Sequence, residues 1–241
     1  MSTPATPEPA PDHSYKKSVA REYLESIVVA VILALFIRTW AFQAFKIPTG
    51  SMETNLLIGD HLLVNKLVYS PSAGAWENLL LAKKPVARGH VVVFKYPEDP
   101  GRDFIKRVIG LPGETVEVRD KTVLVDGQAL QEPYARFLEP PLRHDDPEYT
   151  FRAEGLRDNW GPKQVPDGQL FVMGDNRDNS RDSRFWGFLP KDQVKGRALL
   201  VYWSYEASRE EYHRTGWSEW IKDTAAAVGK TRWSRFFHLI R

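Results

Sequence analysis

Between Ser26 and Ile37 the chain carries no charge, and between Ser26 and Phe45 the only charged residue is Arg38. Few folds tolerate such a run. Twenty helical residues rising 1.5 Å each reach about 30 Å, the thickness of a bilayer's hydrocarbon core. The stretch SIVVAVILALFI has no polar face, so it does not suit a helix lying on a soluble core. A cleavable leader would need a small-x-small site after the apolar run. TWAFQAF offers only Ala41 and Ala44, three residues apart. The sequence therefore predicts one transmembrane anchor over residues 23–45, with Arg38 snorkelling to the headgroups and Trp40 in an interfacial belt. Before it, residues 1–22 open with MSTPATPEPAPDHS and read as a disordered cytoplasmic tail. Lys16, Lys17 and Arg21 on that side give a weakly positive-inside bias.

Beyond the anchor the pattern turns to β. HLLVNKLVY (61–69), HVVVFKY (90–96), DFIKRVIG (103–110), TVEVR (115–119), TVLVDG (122–127), QLFVMG (169–174) and ALLVYWSY (198–205) are short β-branched and aromatic runs. Turn residues bound them at 97–101, 111–114 and Asp126-Gly127, the last a hairpin signal. No strand alternates with a long helical pattern, so βαβ units are not expected. The expected fold is mainly β, with residues 131–165 as a polar, proline-rich insertion. Residues 206–241 mix helix formers, tryptophan and basic residues, and read as a helical, membrane-proximal segment.

With 33 basic and 31 acidic residues the net charge is +2, which argues against a dedicated nucleic-acid binder. Cysteine is absent, which excludes disulfides, thiol catalysis and thiolate metal sites. No metal or organic cofactor is expected.

The chemistry begins at KIPTGSMETNLLIGD, where Ser51 sits between Gly50 and Met52 directly after the apolar run. A serine hydroxyl needs a base to become a nucleophile. None of the six histidines (His13, His61, His90, His144, His213, His238) lies in a stretch resembling a catalytic loop. A lysine is the other option, provided burial lowers its pKa from about 10.4. On a strand, Lys106 shares a face with Phe104 and Val108. Lys95 is the competing candidate, sharing a face with Val91 and Val93, but it lies close to a turn proline. A solvated outer-face position remains open for both. The loop MGDNRDNSRDSRFWG follows a strand and ends in Phe185-Trp186, which pins it to a core. Its opposed charges suit a scaffold that holds a site, and Ser180 or Ser183 could hydrogen-bond a neutral lysine.

Three blocks, FKIPTGSMETNLLIGD, RGHVVVFKYPEDPGRDFIKRVIGLPGE and GDNRDNSRDSRFWGFLP, follow one another behind the apolar run. In that order they resemble bacterial type I signal peptidases, the membrane-bound Ser/Lys proteases that remove signal peptides from exported proteins. The resemblance implies that Ser51 is the nucleophile and Lys106 the general base. It implies that Thr49 and the Ser51 N–H bind the oxyanion, that Ser180 orients the lysine, and that Asp182 and Arg184 form a structural ion pair. Phe45, Ile47, Pro48, Met52, Leu56, Phe104 and Ile105 match positions lining shallow pockets for small residues at −1 and −3 of the substrate.

The family fold implies an antiparallel coiled-sheet catalytic domain, here residues 46–119 and 169–205, with a variable lobe inserted at 120–168. It further implies secretory preproteins and the phospholipid bilayer as partners, a monomer, no nucleic acid, and a single-pass protein of the bacterial inner membrane with its catalytic domain on the outer face. The chain departs from the pattern in having one expected span where some members have two, and Ser51-Met52-Glu53-Thr54 where a proline is common. Two other readings share part of this evidence. A self-cleaving Ser/Lys repressor would need a basic DNA-binding domain in place of the apolar run. A non-enzymatic membrane-tethered β scaffold would need no reactive serine.

Overall fold

The structure is a computed structural model, described here for residues 18–67, 69, 85–139, 157–206 and 229–240. The chain divides into two units, Met1–Thr39 and Trp40–Arg241. In the first, helix α1 covers Val19–Phe36 and exposes apolar side chains on every side, with no buried residue. Arg21, Glu22 and Glu25 occupy its opening turns, which leaves Ser26–Phe36 as its longest uncharged run. Among the described residues no helix is long and apolar enough to cross a membrane. The apolar run does not continue as α-helix to Phe45 as the sequence suggested. A π-helical turn follows at Ile37–Ala41, and Phe42–Lys46 is already strand β1. The reason is pairing: Phe42 to Lys46 register antiparallel with Asn65 to His61 of strand β2 (Asp60–Asn65). The expected disordered tail lies mostly outside the described residues.

The second unit is built on an eight-stranded sheet. Its strands are β1, β2, β3 (Val91–Tyr96), β4 (Asp99–Gly110), β9 (Gln169–Met173), β10 (Leu189–Pro190), β11 (Val194–Ser204) and β12 (His238–Leu239). The order is β1-β2-β11-β3-β4-β9-β10, with β12 added to β11, and every pair is antiparallel. Val91, Val93, Ile105, Leu62, Val64 and Val201 belong to one core cluster, and Val92, Phe94, Val108, Leu170 and Val172 to another. The odd and even residues of β3 thus enter different clusters, as period-two alternation requires. With both faces covered, β3 and the second half of β4 read as near-continuous apolar runs, apart from the exposed Lys95 and the buried Lys106 and Arg107.

A smaller four-stranded sheet, β7-β6-β5-β8, comprises β5 (Thr115–Arg119), β6 (Thr122–Val125), β7 (Gln128–Ala129) and β8 (Trp160–Gln164). The Asp126-Gly127 turn has φ of 51° and 77°, the left-handed pair that a two-residue hairpin needs. Strand β5, read from the sequence as part of the larger domain, lies inside this smaller sheet. Val116, Val118, Val123 and Trp160 pack with Ile109, Phe171 and Met173 of the larger sheet, so one core joins the two. The polar stretch expected to be irregular contains β8; residues 140–156 of it lie outside the described residues. The expected turn at 97–101 is shorter, because Asp99 already pairs with Tyr96.

Residues 231–240 are not helical as expected for this region. They form a bridge from Thr231 to Tyr205, a 3-10 turn at Trp233–Arg235, and β12, which pairs with Leu200 and Val201. The rest of the expected segment, apart from 206 and 229–230, lies outside the described residues.

Phe171 has no exposed surface and packs between Trp160, at 4.4 Å between ring centroids, and Phe188. Phe171→Ala is expected to cost about 3–5 kcal/mol of stability, read from the midpoint and slope of urea unfolding.

Candidate active site

The serine is placed by the link between β1 and β2. Ile47 N donates to Asp60 O at 2.9 Å and Gly59 N to Ile47 O at 3.0 Å, closing the base of the loop. Within it Gly50–Met52 forms a 3-10 turn. Met52 drives into the core with no exposed surface, and Leu56 N donates to Met52 O at 2.9 Å. Asn176 clamps the turn from the other side: its N–H donates to Ser51 O at 3.1 Å and its Nδ2 to Gly50 O at 3.0 Å. Ser51 is 9% exposed.

Lys106 arrives from β4, in register with Val92 of β3, while its neighbour Arg107 pairs with Met173 of β9. Its side chain is 3% exposed, and Nζ donates to Ser51 Oγ at 2.7 Å and to Ile105 O at 2.9 Å. Burial lowers its pKa from 10.5 to about 8, since the charged form loses its hydration. Asp182 and Asp175 oppose that shift and Arg184 assists it. Lys95, the rival base, is exposed on β3 and registers with Asp103. His61 packs among Tyr202, Trp203 and Tyr205 instead of near the serine. Burial and the nearby Lys46 push its pKa down to about 4. His90 bonds to Tyr69 Oη at 2.5 Å. His13, His144 and His213 lie outside the described residues.

The charged loop holds one ion pair of its own and sends its other charges to partners elsewhere, Arg177 to Glu132, Asp178 to Lys121 and Arg181 to Glu98. Asp182 holds Arg184 in a fork, 2.9 Å on each arm, and accepts Gly174 N at 3.0 Å. Burial would raise this carboxyl, yet the Arg184 charge and these bonds hold it below the usual carboxylate range. Arg184 also donates to Arg177 O at 2.7 Å. The sequence reading missed a second fork. Arg107 Nε and Nη2 bind Asp175 at 2.8 and 2.7 Å, both groups are fully buried, and the guanidinium stacks 3.9 Å from the Tyr134 ring. Alternation could have exposed it. If Lys106 faces the serine, Arg107 faces the other way, and a buried guanidinium needs a carboxylate. Asn176 carried no comparable signal, because its role depends on two backbone carbonyls brought close only by folding.

Ser180 is buried, and its Oγ makes no hydrogen bond to Lys106. It has no other hydrogen-bond partner among the described residues either, so the expected lysine-orienting contact is not formed. Gly174 is required by close approach: a Cβ there would lie 2.2 Å from Ser180 Oγ and 2.5 Å from Ser51 O. Thr49 is exposed ahead of the turn, and its side chain makes no capping bond. A cleft of about 400 Å³ opens over Ser51 and Lys106, bordered by Pro48, Thr49, Phe104 and Ile105. Of the other expected pocket residues, Ile47, Met52 and Leu56 are buried in the core, and Phe45 is partly buried against it. They back the cleft without lining it.

Residues 20–203 match the family model described as "Signal peptidase, peptidase S26". The chain is 39% identical over 210 residues to a signal peptidase I of Leptolyngbya laminosa, covering 83% of this chain and 89% of the relative. It is 35% identical over 229 residues to a signal peptidase I of Aquifex aeolicus, covering 76% and 84%. A probable signal peptidase I-1 of Synechocystis is 41% identical over 196 residues, covering 78% and 84%. The chain therefore belongs to the signal peptidase family, peptidase S26.

The buried amine has a thermodynamic signature. Its folded pKa, about 8, lies below the free value of 10.5. Between those values the unfolded chain binds more protons, so stability rises with pH across that window. Below it the buried ammonium costs the fold roughly 3 kcal/mol, at 1.36 kcal/mol per unit. Lys106→Met, of similar volume and without charge, is expected to be more stable than wild type near pH 7. That advantage should shrink steadily between about pH 8 and pH 10.5, measured as urea midpoints across the range.

Proposed function

We propose that this signal peptidase cleaves by a Ser/Lys dyad, with Ser51 as nucleophile and Lys106 as general base. The observation that carries the reading is the 2.7 Å contact between Lys106 Nζ and Ser51 Oγ, both buried at the floor of an open cleft. In the neutral amine that contact reverses, and the Ser51 hydroxyl donates to the lysine lone pair. The amine then takes the proton as Oγ attacks the carbonyl carbon of the substrate's −1 residue. The Ser51 N–H and the Thr49 hydroxyl stabilise the oxyanion, one such donor being worth about 3 kcal/mol. The ammonium protonates the departing amine, which breaks the peptide bond and leaves an acyl-serine. Lys106, neutral again, next deprotonates the water that attacks the acyl carbonyl, and returns that proton to Ser51 Oγ as the acyl–oxygen bond breaks. The Asp182–Arg184 pair holds the base side of the site.

The substrates are signal peptides of secretory preproteins. The walls supplied by Pro48, Phe104 and Ile105 favour short side chains at −1 and −3. The membrane belongs to the same reading: α1 exposes Val28, Ile32, Leu35 and Phe36, which water does not favour and lipid does. A helix shorter than the bilayer can be accommodated by local thinning and by charged residues snorkelling at its ends. The protein then sits on the outer face of a bacterial inner membrane, where its substrates are tethered.

Ser51→Ala and Lys106→Ala are each expected to lower cleavage of a preprotein with an Ala-x-Ala site by at least 10³-fold, in detergent with phospholipid, while remaining folded by circular dichroism. Full cleavage by either variant, in preparations free of host enzyme, sinks the dyad. For wild type, kcat/KM should fall on acidification with a midpoint near 8, the value to which burial brings the lysine. A midpoint near 10.5 would contradict a desolvated base. Thr49→Val should lower kcat about 10²-fold with little change in KM.

A further inference from the structure

Residues 229–240 lie beyond the span matched by the signal peptidase family, yet they return to the loop that carries the serine. Arg235 binds Asp60 with both arms, Nε to Oδ1 at 3.1 Å and Nη2 to Oδ2 at 2.6 Å. Its Nη2 also donates to Asn55 O at 2.7 Å. Arg232 reaches the same loop, Nη1 donating to Ile58 O at 3.0 Å and to Ser204 Oγ at 3.3 Å. The segment is itself held firmly. Arg232 N donates to Ser204 O and Ile240 N to Leu199 O, both at 2.9 Å, and Ile240 is buried in the cluster that contains Met52 and Leu56.

What these arginines grip matters to the cleft. Asp60 has no exposed surface, and its Oδ2 also accepts Leu57 N at 2.8 Å. Its carbonyl accepts Ile47 N, so it closes the base of the serine loop. Asn55 Nδ2 donates to Asp175 at 2.6 Å, the carboxylate that Arg107 holds beside the lysine. Ile58 lines the cleft. A buried carboxylate that loses its cation is strongly unfavourable, and the loop would have to move to rehydrate it.

We propose that residues 229–240 are a strap that sets the geometry of the Ser51–Asp60 loop, and that Arg235 is a positioning residue for catalysis, acting through Asp60 and Asn55. This rests on Ser51 being the nucleophile. The strap adds nothing to the chemical groups of the site. It fixes the loop on which Ser51 and the cleft wall at Ile58 both ride, and a misplacement of about 1 Å can cost about 10²-fold in rate.

The test uses the full chain in detergent with phospholipid. Arg235→Ala should lower kcat for preprotein cleavage at least tenfold with KM changed less than threefold. Hydrogen exchange of the Leu57 amide should speed up by a similar factor. Arg235→Lys should recover part of the rate, since one ammonium replaces one arm of the fork. Combining Arg235→Ala with Asp60→Asn removes the unpaired charge, so the thermal midpoint should return, while kcat stays low because Asn55 O still lacks its donor. Wild-type kcat in Arg235→Ala, or kcat restored together with the midpoint in the double variant, would overturn the positioning role. The exchange measurement is repeated in a Ser51→Ala background. An unchanged Leu57 amide there sinks the strap whatever the nucleophile proves to be, and cleavage by Ser51→Ala sinks the dyad alone.

Discussion

An amine deprived of water is the constraint on which the rest of the second unit depends. Lys106 is a charged residue type placed where charge is unfavourable, and burial brings its pKa to about 8. Keeping water out requires strands on both sides, and β4 has them, with β3 on one edge and β9 on the other. It also requires both faces of β4 to be covered, and two core clusters cover them. The apolar interior thus serves the site as much as it serves stability.

The surrounding carboxylates could have undone this. A free carboxylate next to Lys106 would hold it protonated, as any opposite charge within a few ångströms does. Asp182 and Asp175 are both close enough to push the lysine's pKa upward. Each is engaged by a guanidinium in a two-armed contact, Asp182 by Arg184 and Asp175 by Arg107. Arginine suits this use because its charge survives burial and its planar fork matches a carboxylate. The dense charge of residues 175–184 is therefore a neutralised scaffold, and within it Asn176 holds the serine turn through its backbone N–H and Nδ2.

Much of this was legible in one sequence because it depends on local rules. Alternation placed Lys106 with Phe104, and the structure finds its Nζ 5.5 Å from that ring. The Asp126-Gly127 hairpin followed from two residues that accept positive φ. Composition showed that the charged loop must be tied to a core, since Phe185-Trp186 ends it. Other features were hidden because they depend on contacts distant in sequence. Strand β1 lay inside an apolar run that reads equally well as helix, and only pairing with β2 decides it. Met52 and Leu56 match pocket positions by resemblance, yet they fill the core beneath the cleft. Arg107 with Asp175 and Arg235 with Asp60 join residues separated by 68 and 175 positions.

By itself the sequence determined the chemical inventory and its local presentation: a serine in a tight turn after an apolar run, a lysine flanked by apolar neighbours on a strand, and a loop too charged to be buried unless its charges find partners. Side-chain alternation and turn propensity act over a few residues, so they can be read directly. Only the tertiary structure decided that the amine meets the hydroxyl at 2.7 Å. It also decided which carboxylates each arginine neutralises, and that residues 229–240 return to brace the serine's loop. Desolvation and ion pairing depend on what the whole fold brings within a few ångströms, and no short stretch of chain specifies that.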